Sequence, residues 1–422
     1  MTRVKSTAPR GPGDAREPGT PFFPLWEVVL GALVPSLLFG IAIGVALPII
    51  PTSATRLGGD LATAGFVAAL LPIGKIIADI PAGALASRVG DDTAMIMAAL
   101  VGLFAFVGAA TAGHLLLLEA SILVLGMATS VFHLARHAYL AEITPSTHRA
   151  RVLSTLGGMH RLGYFIGPFL GAAVIVTSSL GPAYWLAAGC AFASFLLLLV
   201  ARAHNPRTAR SARPAVVTPL WSIVRDYRRL LLTLGTATLL VGAVRGARQT
   251  VLPLWGEHLG LDADVISLIF GLSGAFDMLL FYPAGKAMDH FGRLWVAIPS
   301  MTLMGVAMAL LPLTGTAVQM SLVAGLLGLG NGLGAGILMT LGADVAPADG
   351  RSAFLGVWRL FQDMGDAAGP LVIAAGAALG SLAGGVWVAS AFGGLSSAAL
   401  GRYVPRHTIH ATRRTRRRAA AG

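Results

Sequence analysis

Apolar residues in this chain fall into long unbroken runs rather than into the apolar–polar alternation of a half-buried strand. A helix needs about 20 apolar residues to cross the hydrocarbon core of a bilayer. Apolar length and turn residues together predict twelve such helices, over residues 27–50, 61–86, 93–112, 116–142, 152–177, 182–201, 230–256, 264–285, 294–313, 317–343, 353–378 and 382–400. The one long polar interruption runs from Arg202 to Arg229 and splits the set six and six. Residues 1–24 are rich in Pro, Gly and Arg and hold no apolar stretch, so they read as a disordered cytoplasmic leader and not as a cleavable signal. The organisation that follows is a leader (1–24), a six-helix half (25–201), a basic linker (202–229), a second six-helix half (230–400) and a basic tail (401–422).

Composition narrows the class. Of 422 residues 55% are apolar and 12% charged, against about 25% charged in a soluble protein. Such a chain is too apolar for disorder. Its runs are too long for a transmembrane β-barrel, whose segments are about 10 residues of alternating character. The single cysteine, Cys190, excludes a disulfide framework or a cysteine metal site and reads as a small core residue. No Gly-x-x-x-x-Gly-Lys-Ser/Thr phosphate loop occurs, so ATP is not the energy source and no cofactor is implied.

Charge sets the orientation. The 31 Lys+Arg outnumber the 19 Asp+Glu, for a net charge of +12. With a cytoplasmic N-terminus, 24 of the 31 basic residues fall in inner segments and only Arg56 in an outer loop, which places both termini inside. The run Arg413-Arg414-Thr415-Arg416-Arg417-Arg418 has the composition of a nucleic-acid patch. Beside a membrane it instead sets topology and meets anionic headgroups, so the bilayer is the expected partner and nucleic acid is not.

The chain also repeats itself at a constant shift of 202 residues. Pro51 and Leu57-Gly58 fall on Pro253 and Leu259-Gly260, and Pro81-Ala82-Gly83 falls on Pro283-Ala284-Gly285. Ala141-Glu142-Ile143-x-Pro145-x-x-x-Arg149 meets Ala343-Asp344-Val345-x-Pro347-x-x-x-Arg351, and Gly163-x-x-x-Gly167-Pro168 meets Gly365-x-x-x-Gly369-Pro370. One register held across five spans implies two parallel halves about an axis along the membrane normal, with a site near the midplane between them.

These residues resemble the major facilitator superfamily over essentially the whole chain. The superfamily's loop signature after span 2 is Gly-x-x-x-Asp-x-x-Gly followed by Arg or Lys, and it recurs after span 8. The second copy is intact as Gly285-x-x-x-Asp289-x-x-Gly292-Arg293. In the first, Gly83 and Gly90 stand, but Ser87 replaces the acid and Asp91-Asp92 replace the basic pair. The resemblance implies that this loop forms a cytoplasmic charge lock favouring one access state, so the lock of the first half is expected to be weak or rewired. A span 5 signature associated with export antiporters, Gly-x-x-x-Gly-Pro-x-x-Gly, appears as Gly163-x-x-x-Gly167-Pro168-x-x-Gly171. Small residues four apart also pack any transmembrane bundle, and Pro168 removes a backbone donor, so a packing reading stands beside the export one. A third signature, an Arg in span 4 four residues before a Gly, is missing, because Ile122 holds that position before Gly126. The implied fold is an all-α polytopic membrane protein of twelve transmembrane helices, two six-helix halves related by pseudo-two-fold symmetry.

A charge at the centre of a membrane helix is costly, about 2.5 to 17 kcal/mol, and is a functional candidate unless a partner satisfies it. Lys75 and Asp79 in span 2 share one helical face, as do Arg359 and Asp363 in span 11, with Asp366 three residues on. Arg161 in span 5 and Asp277 in span 8 stand alone on their helices. The resembled fold sets span 2 against span 11 and span 5 against span 8. Lys75 is therefore expected to meet Asp363 or Asp366, Asp79 to meet Arg359, and Arg161 to meet Asp277. Such pairs are either gating contacts, broken and remade as the halves rock, or the seat of a coupling proton, with Asp277 and Asp79 as the leading acids.

The same fold lines its central cavity with spans 1, 4, 7 and 10. Span 4 offers His133, Arg136 and His137, which read as interhelical contacts or as cavity groups. A zinc helix would need Glu after the first His, and Leu134 stands there, so no metal is expected. Arg245, Arg248 and Gln249 in span 7 suggest an anionic group on the substrate or a counterion for Glu119, or they pack against a neighbouring helix. Asn331 in span 10 is a cavity hydrogen-bonding candidate or interhelical glue. The expectation is a monomeric secondary transporter of the plasma membrane, both termini cytoplasmic, exporting a small amphiphilic molecule by proton antiport. Proton-symport uptake of a small metabolite is the alternative, and a membrane enzyme or receptor the remote one.

Overall fold

A computed structural model describes residues 25–144, 146–176, 179–204, 220–347, 351–412 and 415. The expected leader, most of the linker and the arginine-rich end of the tail lie outside the described residues. Within them the chain forms twelve long helices and a short linker helix, Leu220–Asp226, with no strand. The long helices are α1 (Trp26–Arg56), α2 (Leu61–Val89), α3 (Asp91–Ala110), α4 (Leu115–Ile143), α5 (Ser146–Ile175) and α6 (Gly181–His204) in the first half. The second half holds α7 (Arg228–His258), α8 (Ala263–Phe291), α9 (Leu294–Leu313), α10 (Ala317–Val345), α11 (Arg351–Ala378) and α12 (Leu382–His407). Ten of them are long and apolar enough to cross a membrane. The exceptions are α5 and α11, equally long, whose polar residues lower their apolarity: His160 and Arg161 in one, Arg359, Gln362, Asp363 and Asp366 in the other.

Several boundaries differ from expectation, among them the start of α5 at Ser146 rather than 152 and the end of α8 at Phe291 rather than 285. Helix α12 continues through Pro405 to His407, past the expected end at 400. The chain then turns back, and the carbonyls of His410 and Ala411 accept the N–H groups of Arg293 and Leu294, each at 3.1 Å. Those donors head α9, where the first N–H groups of a helix lack partners within it. Helix α10 is broken by a turn after Leu333, with Gly336 at φ +78°, and resumes at Ile337.

The sequence repeat is a packing repeat. Helix α1 packs on α5 and α6, α2 on α4, and α3 on α4 and α6; in the second half α7 packs on α11 and α12, α8 on α10, and α9 on α10 and α12. The halves meet along two seams, α2 on α11 and α5 on α8, which the repeat exchanges. Small residues make the closest crossings. A Cβ on Gly163 would lie 2.5 Å from the Leu37 carbonyl oxygen, and one on Gly167 2.6 Å from backbone atoms of Gly44 and Ile41. Their repeat mates Gly365 and Gly369 press equally on backbone atoms of α7, at Leu239 and Ala243. A Cβ on Gly171 would come no nearer than 3.5 Å to α1. Two glycines of the span 5 signature therefore make close helix crossings that a side chain would obstruct.

Candidate functional site

A cavity of about 280 Å³ lies between the halves, where α5, α7, α8, α10 and α11 converge on Leu47 of α1. Its charged and amide groups are Arg161, Arg245, Arg248, Gln249, Asp277, Asn331, Gln362 and Asp366, set among Tyr164, Phe165, Phe270 and Met278. One end of the interface is bridged by a hydrogen bond. The Thr55 hydroxyl donates to Glu257 Oε2 at 2.9 Å, and these residues are one repeat, 202 positions, apart. Symmetry mates touch only beside the symmetry axis, so this bond marks the axis at the end where α1 and α7 terminate.

Asp277 is the hub of the cavity. Its Oδ1 lies 3.4 Å from Arg161 Nη1 across the α5–α8 seam. Its Oδ2 accepts Asn331 Nδ2 at 2.9 Å and faces Arg248 Nη2 at 4.0 Å. Arg248 also donates to Ser273 Oγ at 3.0 Å, and Arg161 rests over the Phe281 ring at 4.8 Å. Arg245 donates to the Gly334 carbonyl at 2.6 Å, at the turn that breaks α10. The Nε atoms of Arg245 and Arg248 are both buried without a hydrogen-bond partner.

At the α2–α11 seam the expected Asp79–Arg359 pair is replaced, whereas Lys75 does meet Asp366 across the seam. Arg359 Nε lies 3.4 Å from Asp363 Oδ2 on its own helix, and Asp79 accepts a hydrogen bond from Ser130 of α4 instead of pairing with Arg359. Residues four apart on a helix are neighbours already, so this pairing requires no approach of the halves. Lys75 lies within electrostatic reach of both Asp363 and Asp366, and shares with Asp366 the lining of a second cavity of about 20 Å³. Leu47, Gln249 and Asp366 belong to both cavities.

Arg245, Arg248, Gln249 and Asn331 line the large cavity, whereas the expected span 4 set does not. His133 and Arg136 pack between helices; Arg136 is 3% exposed, with Nε and Nη1 unpartnered, near the Phe132 ring. His137 Nδ1 sits 2.7 Å from the His133 carbonyl, and Glu119 lies at the other end of α4, partly exposed. The His133 ring meets His160 edge-on at 4.5 Å, and it is His160 of α5 that reaches the cavity. Sequence reasoning missed His160, Tyr164 and Gln362. The repeat was the signal for two of them, since His160 and Gln362 are mates at 202 positions and both line the cavity.

At the signature loops, Arg293 pairs with Asp344 of α10 at 3.1 Å and with Asp289 at 3.5 Å, the latter side chain 80% exposed. In the first half Arg202, at the end of α6, pairs with Asp92 at 3.5 Å and donates to Thr93 at 2.9 Å. Gly90 and Gly292 end α2 and α8 at φ +89° and +105°, a conformation that favours glycine. A Cβ on Gly83 or Gly285 would meet nothing within 4 Å.

Relatives place this architecture. The chain is 23% identical over 317 residues to the uncharacterized MFS-type transporter YhjO of Bacillus subtilis (strain 168), covering 75% of this chain and 78% of that protein. It superposes on a POT family transporter solved in complex with 5-aminolevulinic acid with a TM-score of 0.76 at 11% identity, over 93% of this chain and 99% of that one. The nucleoside transporter NupG superposes with a TM-score of 0.71 at 14% identity, over 89% and 100% of the two chains. At such identities the likeness is one of fold. The sequence profile of the Major Facilitator Superfamily matches residues 33–370 and 234–421, so the chain belongs to that superfamily of integral membrane transporters.

Proposed function

We propose that this chain is a twelve-span, proton-coupled secondary transporter of a small amphiphilic organic anion, working by alternating access as a monomer in the plasma membrane with cytoplasmic termini. The observation that carries the anion is the large cavity's charge: three arginines against two aspartates, with two buried guanidinium Nε groups unpartnered. A buried charge costs several kcal/mol unless it is paired, so the site is one anion short. The aromatic and aliphatic part of the lining suits an apolar body behind that anion. With cytoplasmic termini, the Thr55–Glu257 bond lies at the outer end and supports an inward-facing reading.

The cavity's electrostatics also bear on direction. An anion entering beside Asp277 and Asp366 favours proton binding in the same cavity, because like charges disfavour each other's ionisation. Linkage is reciprocal, so anion and proton bind together and travel together. That supports symport, the reading held as the alternative above. Export by antiport rests on the span 5 signature, and Gly163 and Gly167 of that signature already serve packing.

The test is a panel of organic anions and matched neutral analogues in proteoliposomes under an imposed pH gradient. Accumulation of an anion on the alkaline side, at least about tenfold weaker in R245Q/R248Q, supports the proposal; a tenfold loss corresponds to roughly 1.4 kcal/mol. Accumulation on the acidic side would establish antiport instead. Equal transport of neutral analogues would sink the anion reading.

A further inference from the structure

The smaller cavity has the dimensions and chemistry of a water site. Its volume is about 20 Å³ and its polar lining is Lys75, Gln249, Thr250 and Asp366. An enclosed water needs about 10–15 Å³ and two to four polar partners, and this space supplies both. The remaining side chains of the wall are apolar, among them Leu47, Ile50, Ala68 and Leu71, so Lys75, Gln249, Thr250 and Asp366 are the polar side chains open to a water here. Lys75 belongs to α2 and Asp366 to α11, so the cavity sits within a seam that must loosen when the halves rock. Asp366 forms part of the wall of the substrate cavity as well.

We propose that one ordered water bridges the Lys75 ammonium to the Asp366 carboxylate, and that Asp366 is the acid that takes up and releases the coupling proton. This deepens the transport reading above and rests on it. The charged and titratable groups acting on Asp366 are Lys75 from α2, Tyr164 from α5, Arg245 from α7, and Asp363 and Arg359 on its own helix. In the resting site Lys75 and Arg245 are cations that share the two cavities with the Asp366 carboxylate. A substrate anion drawn to Arg245 takes up part of that cation's field, and a proton arriving through the large cavity then converts the carboxylate to the neutral acid. The neutral acid no longer attracts Lys75 through the water, and the α2–α11 seam is released. Deprotonation on the other side restores the bridge. One proton is bound and one released per cycle.

The experiment is a pH titration of the purified protein in lipid by infrared difference spectroscopy, reading the carbonyl stretch of a protonated carboxyl. It needs no substrate, so its failure is distinct from a failure to find a transported anion. The expected result is a titrating carboxyl band that is lost in D366N, retained at a shifted position in D366E, and retained in D277N. Filling the small cavity with A68L, which displaces the water and leaves every charge in place, is expected to move the titration midpoint by about one pH unit, a tenfold change in proton affinity. A band that persists in D366N, or that disappears in D277N, overturns the assignment to Asp366. A midpoint unmoved in A68L, with the variant shown to be folded by its thermal unfolding, overturns the water bridge.

Discussion

The two halves share a backbone and differ in charge, and the difference is sharpest where one repeat position can be read in both. Arg293 and Asp344 attract each other at 3.1 Å where α9 begins and α10 ends. Their mates 202 positions earlier are Asp91 and Glu142, two acids within electrostatic reach of each other. The first half compensates with Arg202, which reaches Asp92 from α6, while the second is also strapped by the tail carbonyls on α9. The seams invert in the same way. Arg161 and Asp277 pair across α5–α8, and their mates are Asp363 and Lys75, the same two positions with the signs reversed. Arg245 and Arg248 in α7 stand where α1 has Ile43 and Ala46. Glycine positions, by contrast, are held in common: Gly40 and Gly163 cross as Gly242 and Gly365 do. The repeat constrains how closely backbones approach and leaves side-chain charge free to specialise. Function in this fold is accordingly sought in the asymmetry.

The largest effect is expected where the asymmetry is most concentrated. D277A leaves Arg161, Arg248 and Asn331 without the carboxylate they share. Removing one partner of a buried pair costs about 3–5 kcal/mol, and the partial exposure of Arg161 puts this case at the low end. Thermal unfolding in detergent should show a clear loss, and transport should be abolished. The swap R161D/D277K rebuilds in α5–α8 the sign arrangement that α2–α11 carries. It should recover stability only in part, because Arg248 then faces a lysine. No recovery over D277K alone would show that the seam pair does not hold the halves together.

Next in size are the crossings that both halves share. G167A and G369A each force a Cβ against the backbone of α1 or α7, and overpacking of this kind costs about 1–3 kcal/mol. G171A, with its nearest neighbour at 3.5 Å, should leave thermal stability unchanged. If G171A alters transport while leaving stability alone, the third glycine of the span 5 signature has a role beyond packing.

This contrast also shows how far the sequence was legible. Helix order and approximate extent followed from apolar runs, because a bilayer demands that every backbone polar group be satisfied within the helix, whereas the ends of α5, α8 and α12 did not. The seams were legible from the repeat. Individual ion pairs were less so, since a cation such as Arg359 has acids both on its own helix and across the seam, and only the packed geometry selects Asp363. Span 4 left its two readings open for a related reason. His133, Arg136 and His137 are polar enough to suggest a cavity, but His133 meets His160 of α5, and it is His160 that stands at the cavity wall. Periodicity says that such residues share a face and does not say which neighbour that face meets.

A smaller effect is expected from removing the charge conflict in the first half. D91R gives Glu142 an attractive partner at the repeat position of Arg293. A pair at the membrane surface is worth about 0–1 kcal/mol, so the unfolding temperature should rise slightly. The more telling readout is exchange rate: a second lock should slow the interconversion of access states, measured as transport turnover.

The smallest effect concerns the entrances to α2 and α8, where Asp60 and Asp262 are mates with different surroundings. Asp60 accepts the Thr63 N–H at 2.8 Å and the Thr63 hydroxyl at 2.7 Å, capping α2, whereas Asp262 makes no side-chain cap bond to α8. The position that is Thr63 in the first half is Val265 in the second, which removes the hydroxyl donor. These hydrogen bonds hold the Asp60 carboxyl below its ordinary pKa. A depressed carboxyl contributes stability above its unfolded pKa, about 3.9, and loses it as pH falls through the lower folded value. D60A should therefore lower the unfolding temperature slightly at neutral pH, and its deficit against the parent should shrink on acidification below about pH 4. D60N keeps an acceptor at the cap and should recover most of the neutral-pH loss without the pH dependence. D262A should be silent throughout. A loss in D262A equal to that in D60A would mean that the two helix entrances are stabilised by something other than the cap that distinguishes them.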